Sequence, residues 1–218
     1  MARPSMTDLL RETYAALASV VEELEEHHAW VATACVGWTV HDLVWHLHAD
    51  AVRGLVAAHT PADRSADCDA VAYWRAWGSD PDTDERNRRM TRVEAGLHTF
   101  TALRDRYLEA SSAAVRAVSD LPDATVVLTQ GHAIGARDLA STLAVEATLH
   151  HLDLVAHLGG AAPPTQAGLV EVRCVVEGLL DRALGWSDER VALVGTGRAE
   201  PTQDELDELR GARIPVFS

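Results

Sequence analysis

The feature that most constrains the fold of this 218-residue chain is a helical spacing of apolar residues that recurs in four long stretches. Apolar side chains three and four positions apart lie on one face of an α-helix, and such a face is typically buried. We therefore predict four helices, over residues 5–26, 37–59, 90–119 and 137–158. In the second of them Thr39 provides an N-cap, and Asp42 follows three residues later as in a capping box.

Four long amphipathic helices favour a four-helix bundle, so the predicted fold class is mainly α. A polar stretch over residues 60–88 separates the second helix from the third. We predict a long crossover there, with a short helix around Trp74 and Trp77. A connection of this length is often functional. In the third helix, Val93 and Leu97 belong to the predicted buried stripe.

Shorter elements are predicted after the third helix. The β-branched residues over 125–130 predict a strand, and RVALVGTG over 190–197 is interpreted as another strand that ends at glycines. An amphipathic helix is predicted over 166–185 and a short acidic helix near the C-terminus. We divide the chain into a bundle over residues 1–160 and a C-terminal extension over 161–218, formed by a helix and short strands packed on the bundle.

Charge and composition argue against several classes of function. A net charge of −14 argues against nucleic acid and against an anionic membrane as partners, because both attract clustered positive charge. All nineteen basic residues are arginines, which excludes Schiff-base lysine chemistry, pyridoxal phosphate attachment and a P-loop lysine. Cys35, Cys68 and Cys174 are widely spaced and odd in number, which predicts small core residues rather than disulfides or a zinc–thiolate site.

Two further patterns concern localisation and partners. No apolar run approaches the roughly 18 residues of a membrane span, and the first residues lack the apolar segment of a signal peptide. We therefore predict a cytoplasmic protein, a monomer or homodimer, whose partner is a small-molecule substrate.

A carboxylate on an apolar helix face is the first chemical signal. Glu146 and His150 are four residues apart on the predicted fourth helix, on the same face as the apolar residues Leu139, Leu143 and Leu154 and as Asp153 and His157. Burying the Glu146 carboxylate unpaired would cost several kcal/mol, so it needs a cation, a donor or a metal. With one more histidine, this pair would form a three-ligand metal site. The alternative is an ordinary exposed Glu–His pair with no metal.

The second helix offers candidates for the third ligand in the segment HDLVWHLHAD. His46 lies on one flank of the apolar stripe and His48 lies on the other flank with His41. Periodicity does not choose between these flanks, and a flank histidine is often only a hydrogen-bonded boundary residue.

Two motifs in these helices resemble a known family. The segments GWTVHDLVWHL (37–47) and EATLHHLDL (146–154) are similar to the DinB-like superfamily, and more narrowly to the mycothiol-dependent maleylpyruvate isomerase N-terminal family of actinobacteria. That family shows a Gly-Trp-Thr helix start, a His-Leu pair and a later Glu-x-x-x-His-x-x-Asp-Leu. The resemblance covers about residues 5–160 and implies a DinB-like four-helix bundle with a long crossover between helices 2 and 3.

The resemblance also implies the site residues. The metal ligands of the family fall on His46, Glu146 and His150, and Asp153 matches an aspartate that can orient a ligand histidine. His48 and His151 have no ligand role in the pattern, and we expect His41 and His48 to be surface or boundary residues. The implied cofactor is a divalent metal, with zinc favoured and nickel or iron as alternatives.

The function that the resemblance implies is activation of a low-molecular-weight thiol such as mycothiol. The thiol would serve S-transfer to a small electrophilic substrate, or its cis–trans isomerisation. A non-catalytic metal or small-molecule-binding bundle, and a metal-dependent enzyme that uses no thiol, are the alternatives. Longer family members carry a C-terminal domain whose arginine helps to hold the substrate, whereas about 55 residues follow the bundle here, as in shorter members. The residues placed near the pocket by position are Trp45, Trp74, Trp77, His132 and Arg137, each expected to be structural rather than functional.

Overall fold

The computed structural model describes residues 5–75 and 81–217, and most of them are helical. The helices are α1 Met6–Glu22, α2 Val40–Ala58, α3 Ala70–Trp74, α4 Pro81–Ala95, α5 Phe100–Ser119, α6 Ala136–Val155, α7 Gln166–Leu180, α8 Asp188–Gly195 and α9 Gln203–Leu209. Two short strands, β1 Val126–Thr129 and β2 His132–Gly135, pair as an antiparallel hairpin. The predicted fold class, mainly α with a small β element, is confirmed.

Helices α1, α2, α5 and α6 form the four-helix bundle, with α2 packed along α5 and α1 along α6. The buried stripes that the sequence predicted meet at its centre, where Leu17, Leu43, Leu103 and Leu154 are almost inaccessible to solvent. The predicted capping box of α2 is present, because the side chains and backbone N–H groups of Thr39 and Asp42 bond reciprocally. This cap sets where α2 begins and therefore which way its histidines face.

The predicted third helix is wrong in one respect, because the chain forms two helices there. Helix α4 ends at Ala95, and α5 begins at Phe100 with Thr99 as its N-cap, whose hydroxyl accepts a hydrogen bond from the Ala102 N–H. Val93 and Leu97, expected in the buried stripe, are 54% and 70% exposed. A threonine side chain that satisfies a free N–H competes with helix continuation, which explains the break.

The crossover between α2 and α4 lies against the hairpin. The strand predicted over 125–130 is observed as β1, and β2 follows after a two-residue turn at Gln130–Gly131, where both residues have positive φ as a type I′ turn requires. Crossover residues bridge to both strands, through Pro61 to Val127 and through Cys68 to Ile134. The short helix predicted around the tryptophans is α3, which ends at Trp74, and Trp77 lies outside the described residues.

The strand predicted over 190–197 is wrong, because these residues belong largely to α8. Ser187 caps this helix by accepting from the Arg190 N–H, and two acidic residues occupy its first turn. A short apolar run is compatible with either a strand or a buried helix, and here the cap decides for the helix.

Helix α7 packs on α6 and α1, and α8 packs on α7, so the residues after the bundle share its core. The domain boundary near residue 160 stays a prediction. No helix within the described residues is long and apolar enough to cross a membrane.

Candidate metal centre

Three potential metal donors converge between helices α2 and α6. The Oε1 atom of Glu146 lies 3.6 Å from Nε2 of His46 and 3.6 Å from Nε2 of His150. The two imidazole rings lie edge to face, with centroids 4.6 Å apart. Glu146 and His150 come from successive turns of α6, whereas His46 is brought to them by the packing of α2. The structure thus brings together all three residues that the sequence analysis predicted as ligands.

The spacing of these donors suits a metal ion better than a hydrogen-bonded cluster. Separations of 3.6 Å exceed the usual 2.7–3.2 Å of N–H···O hydrogen bonds. Two ligands that each bind zinc at 2.0–2.1 Å in tetrahedral geometry are about 3.3 Å apart, close to the observed value. Within the described part of the chain, Nε2 of His46 is buried and has no hydrogen-bond partner. Two imidazoles and a carboxylate with such an unsatisfied atom fit a divalent ion such as zinc.

The site is recessed but not closed. The side chains of His46, Glu146 and His150 are 20%, 15% and 12% exposed, so each is partly accessible to solvent. Burial alone would raise the pKa of Glu146, but the neighbouring His150 and His46 outweigh it and hold that pKa well below its usual range. The carboxylate is therefore an ionised donor at neutral pH.

Asp153 orients one of the ligands. Its Oδ2 lies 2.9 Å from Nδ1 of His150, so the imidazole N–H at Nδ1 donates to the carboxylate and Nε2 is directed towards Glu146. Metal-bound histidines usually donate their second nitrogen in this way. Although burial opposes ionisation, the hydrogen bond from His150 and the charge of Arg198 keep the pKa of Asp153 well below its usual range. The structure thus places Asp153 where the sequence analysis expected it.

Two residues of the site were missed by the sequence analysis. Arg198, from the C-terminal extension, donates to both carboxylate oxygens of Asp153. Cys35, expected in the core, is half-buried beside the site, and its thiol donates to Oδ2 of Asp153 at 3.2 Å. Burial is the main reason why the pKa of Cys35 is raised, so it is a thiol at neutral pH. No periodicity in the sequence connects either residue to α6.

The other histidines lie away from the donor cluster. His41 is buried rather than at the surface, with its Nε2 3.2 Å from the carbonyl oxygen of His98. The expectation of a surface or boundary position is therefore wrong for His41, while His48 is half-buried as expected. His151 is fully buried and pairs with the Ala162 carbonyl, 2.9 Å away. None of the three residues belongs to a donor cluster within the described part of the chain.

A narrow cleft with a free volume of about 20 Å³, partly open to solvent, is lined in part by Glu146, one of the three donors. Its polar wall is formed by Asp50, Arg53, Tyr73, Gln130 and Thr129, and its remaining lining by Gly54, Trp74, Leu139, Thr142 and Leu143. The Asp50 carboxylate is buried and pairs with Arg53 at 2.7 Å, and the Gln130 amide donates to the Tyr73 hydroxyl at 2.9 Å. Burial, followed by the charge of Glu146, raises the pKa of Asp50.

The pocket neighbours suggested by sequence position are only partly correct. Trp74 lines the cleft, and Trp45 is a half-buried residue of α2 that packs against the core. His132 pairs with Asp67 at 3.2 Å, and Arg137 lies 3.8 Å from Asp123 at the surface. Neither His132 nor Arg137 lines the cleft.

Asp67, Cys68 and His132 form a second cluster of potential donors, but it is poorly suited to a metal. The Asp67 oxygens already accept hydrogen bonds from the Ala133 N–H and from His132, and Arg64 lies 3.0 Å away. Burial and the Asp67 charge raise the pKa of the Cys68 thiol to about 11, which disfavours the thiolate that a metal requires. Of these two donor clusters, the one at Glu146 therefore has the more favourable chemistry.

Comparison with known proteins gives the family and the fold of the chain. The family described as mycothiol maleylpyruvate isomerase N-terminal domain matches residues 10–155, a range that includes the three donors and Asp153. The crystal structure of the mycothiol-dependent maleylpyruvate isomerase is similar to this chain with a TM-score of 0.56 and 15% sequence identity. The similarity covers 78% of this chain and 68% of that chain, and at this identity it concerns the fold. No curated protein matches the sequence significantly.

Proposed function

Because the chain belongs to the mycothiol maleylpyruvate isomerase N-terminal domain family, we propose that it is a metal-dependent enzyme that uses a low-molecular-weight thiol, mycothiol or a close analogue. The reaction is S-transfer to a small electrophilic substrate, or cis–trans isomerisation of its double bond. The observation that carries the proposal is the convergence of Glu146, His46 and His150 at separations too long for hydrogen bonds.

Three residues of the site would bind the metal, and Asp153 would orient one of them. His46, Glu146 and His150 would hold the ion, with zinc favoured by the donor set and nickel or iron as alternatives. When bound, a divalent ion lowers the pKa of a coordinated thiol, so that the thiolate nucleophile is present at neutral pH. Asp153 keeps the proton of His150 on Nδ1 and so leaves Nε2 free as a donor.

We place a small substrate at the cleft beside Glu146, which would have to widen to admit it, because its free volume of about 20 Å³ holds roughly one water molecule. Leu139 and Leu143 give one part of the cleft an apolar lining. Tyr73 and Gln130 offer polar groups that can orient a ligand, and Arg53 offers a positive charge close to Asp50. A mixed lining of this kind is typical of small-molecule sites.

The test compares metal binding and turnover in the wild-type chain and two histidine variants. Elemental analysis of the purified wild-type protein should give one equivalent of a divalent metal. His46→Ala should weaken metal affinity by more than the roughly 10–100-fold that loss of an outer partner costs, because it removes a ligand. His48→Ala is the matched control, since His48 lies two residues away on the same helix and should leave metal affinity unchanged.

Turnover is then measured with mycothiol and a panel of small electrophiles, with and without a chelator. We expect activity that requires both the thiol and the metal. Absence of metal from the wild-type protein would refute the proposal. Metal binding without any turnover would instead indicate a non-catalytic binding protein, and turnover that ignores the thiol would indicate a metal enzyme of another kind.

A further inference from the structure

A buried arginine from the C-terminal extension contacts the residue that orients His150. Arg198 follows α8, well after residue 155, where the family match ends. Its Nε donates to Oδ1 of Asp153 at 2.9 Å, and one terminal nitrogen donates to Oδ2 at 2.7 Å. The side chains of Arg198 and Asp153 are 15% and 1% exposed, so this two-bond pair is shielded from solvent.

The backbone around Arg198 holds its guanidinium in place. Gly197 has a φ of +75°, and a Cβ atom there would lie 3.2 Å from Pro215, so glycine is favoured on both conformational and steric grounds. The backbone N–H of Arg198 donates to the Leu193 carbonyl at 2.7 Å. The second terminal nitrogen of the Arg198 guanidinium donates to the Thr196 hydroxyl at 2.9 Å. Arg198 is thus tied to the end of α8 and, through its side chain, to α6.

The two bonds from Arg198 fix the carboxylate that His150 needs as an acceptor. A planar guanidinium that bonds both oxygens prevents rotation of the Asp153 carboxylate. The same Oδ2 atom accepts from Nδ1 of His150 at 2.9 Å, and this contact sets the orientation of the imidazole ring. The contacts therefore run without a gap from Arg198 to Asp153 and from Asp153 to His150.

We propose that Arg198 is a positioning residue of the metal centre, which acts through Asp153 to hold His150 in the orientation that binds metal. The C-terminal extension then completes a site whose ligands all lie in the bundle. This inference rests on the proposed function, since it assumes that His46, Glu146 and His150 bind a metal.

The same extension contains a matched control. Arg190 also bonds both oxygens of a carboxylate, with its Nε 2.6 Å and a terminal nitrogen 2.7 Å from the two oxygens of Glu205. This pair links α8 to α9, and its described contacts include none of the metal donors. Loss of either arginine removes a two-bond ion pair, but only Arg198 is connected to a metal ligand.

The experiment measures zinc affinity by competition with a chromogenic chelator, together with the visible spectrum of the cobalt(II)-loaded protein. Outer partners of metal ligands typically contribute 10–100-fold to affinity, so Arg198→Met should weaken zinc binding by at least about 10-fold and alter the cobalt spectrum. Arg198→Lys should bind zinc more tightly than Arg198→Met, because the lysine ammonium group can still reach Asp153. Arg190→Met should leave both the affinity and the spectrum unchanged.

A double-mutant cycle tests whether Arg198 acts through Asp153. Asp153→Asn should weaken zinc binding, and adding Arg198→Met to it should cause little further loss, because the residue that transmits the effect is already changed. Thermal unfolding of each metal-free variant checks that it is folded at the temperature of the titration. If Arg198→Met does not fold, Arg198→Lys carries the test, with an affinity below that of the wild type expected.

Three results would overturn the inference while leaving the proposed function intact. They are wild-type zinc affinity in the folded Arg198 variant, fully additive losses in the cycle, and an equal loss in Arg190→Met. A raised KM at unchanged zinc affinity would assign Arg198 to substrate binding and would also overturn it. If the wild-type chain binds no metal, the proposed function and this inference fail together.

Discussion

Helix α7 approaches the bundle so closely at Gly168 that adding one methyl group should destabilise the protein. A Cβ atom at this position would lie 2.3 Å from Oγ1 of Thr148 on α6 and 2.9 Å from Cγ2 of Thr13 on α1. The Thr148 hydroxyl cannot easily move away, because it donates to the Ala144 carbonyl at 2.7 Å. Gly168→Ala therefore forces α7 away from the bundle by about 1 Å or displaces a buried hydrogen bond.

The magnitude follows from two opposed effects. Overpacking of a well-packed core typically costs about 1–3 kcal/mol. Replacement of glycine by alanine within a helix returns roughly 0.5–1 kcal/mol of helix propensity. Because the 2.3 Å approach is far shorter than a normal contact, the cost should lie in the upper part of its range, at about 2–3 kcal/mol. The net loss in the free energy of unfolding should therefore be about 1–2.5 kcal/mol, which for a chain of this length lowers Tm by roughly 2–10 °C.

The assay is chemical and thermal unfolding of the metal-free protein, followed by circular dichroism. Gly159→Ala is the control, because a Cβ atom at Gly159 meets no heavy atom within 4 Å. That variant should unfold within about 0.5 kcal/mol of the wild type. Gly168→Ala combined with Thr148→Ala should show a favourable interaction free energy in a double-mutant cycle, since the shorter side chain removes the nearest clash. A Gly168→Ala protein as stable as the wild type would refute this account of how the extension packs.

Two further predictions concern the core and the pH dependence of metal binding. Leu154→Ala should lower the free energy of unfolding by about 3–5 kcal/mol, because Leu154 is fully buried. The control Leu206→Ala, at a position 44% exposed, should change it little. Equal effects of the two substitutions in urea unfolding would contradict the assigned core. Burial lowers the pKa of His150, but its hydrogen bond to Asp153 and the neighbouring Cys35 and Glu146 side chains outweigh this and raise that pKa well above the usual range. In the metal-free protein the His150 ring is then protonated at neutral pH and must lose a proton to bind metal. Zinc affinity should therefore rise as pH rises through that pKa. Calorimetry in buffers of different ionisation enthalpy should detect the released proton. The stability of the metal-free protein should instead fall as pH rises. The contribution of His150 to the free energy of unfolding is complete below the pKa near 6.5 that the residue has in the unfolded chain, and it is lost as pH rises through the raised pKa of the folded protein.

The sequence predicted the helices best where one apolar stripe and one cap agreed. Helix α2 begins at Val40 because Thr39 and Asp42 form the expected capping box. The same reasoning failed around residue 97, where an apolar spacing continued past Thr99 although that residue ends the continuity by capping α5. It also failed at α8, where an apolar run shorter than three turns has the composition of a strand. Local patterns decide poorly in such segments because caps and tertiary contacts outweigh intrinsic preference.

The candidate site was also predicted only in part from the sequence. The spacing of Glu146 and His150 placed two donors on one face of α6 without any knowledge of the fold, since four residues are about one helical turn. Choosing His46 over His48 required the family resemblance, because the two residues lie on opposite flanks of one stripe. In the structure, His46 Nε2 lies 3.6 Å from Glu146, and His48 lies outside the donor cluster.

Local patterns in the sequence were enough to predict the mainly α class, the cap of α2 and the pair of donors on α6, since each depends on residues within a few positions of one another. Only the tertiary structure decided that Cys35 lies beside His150, that Arg198 bonds Asp153 across 45 residues of chain, and that the crossover runs along the hairpin. Contacts of this kind join segments far apart in sequence, and their geometry is set by how helices pack and where loops turn. A periodicity of 3.6 residues carries no information about either.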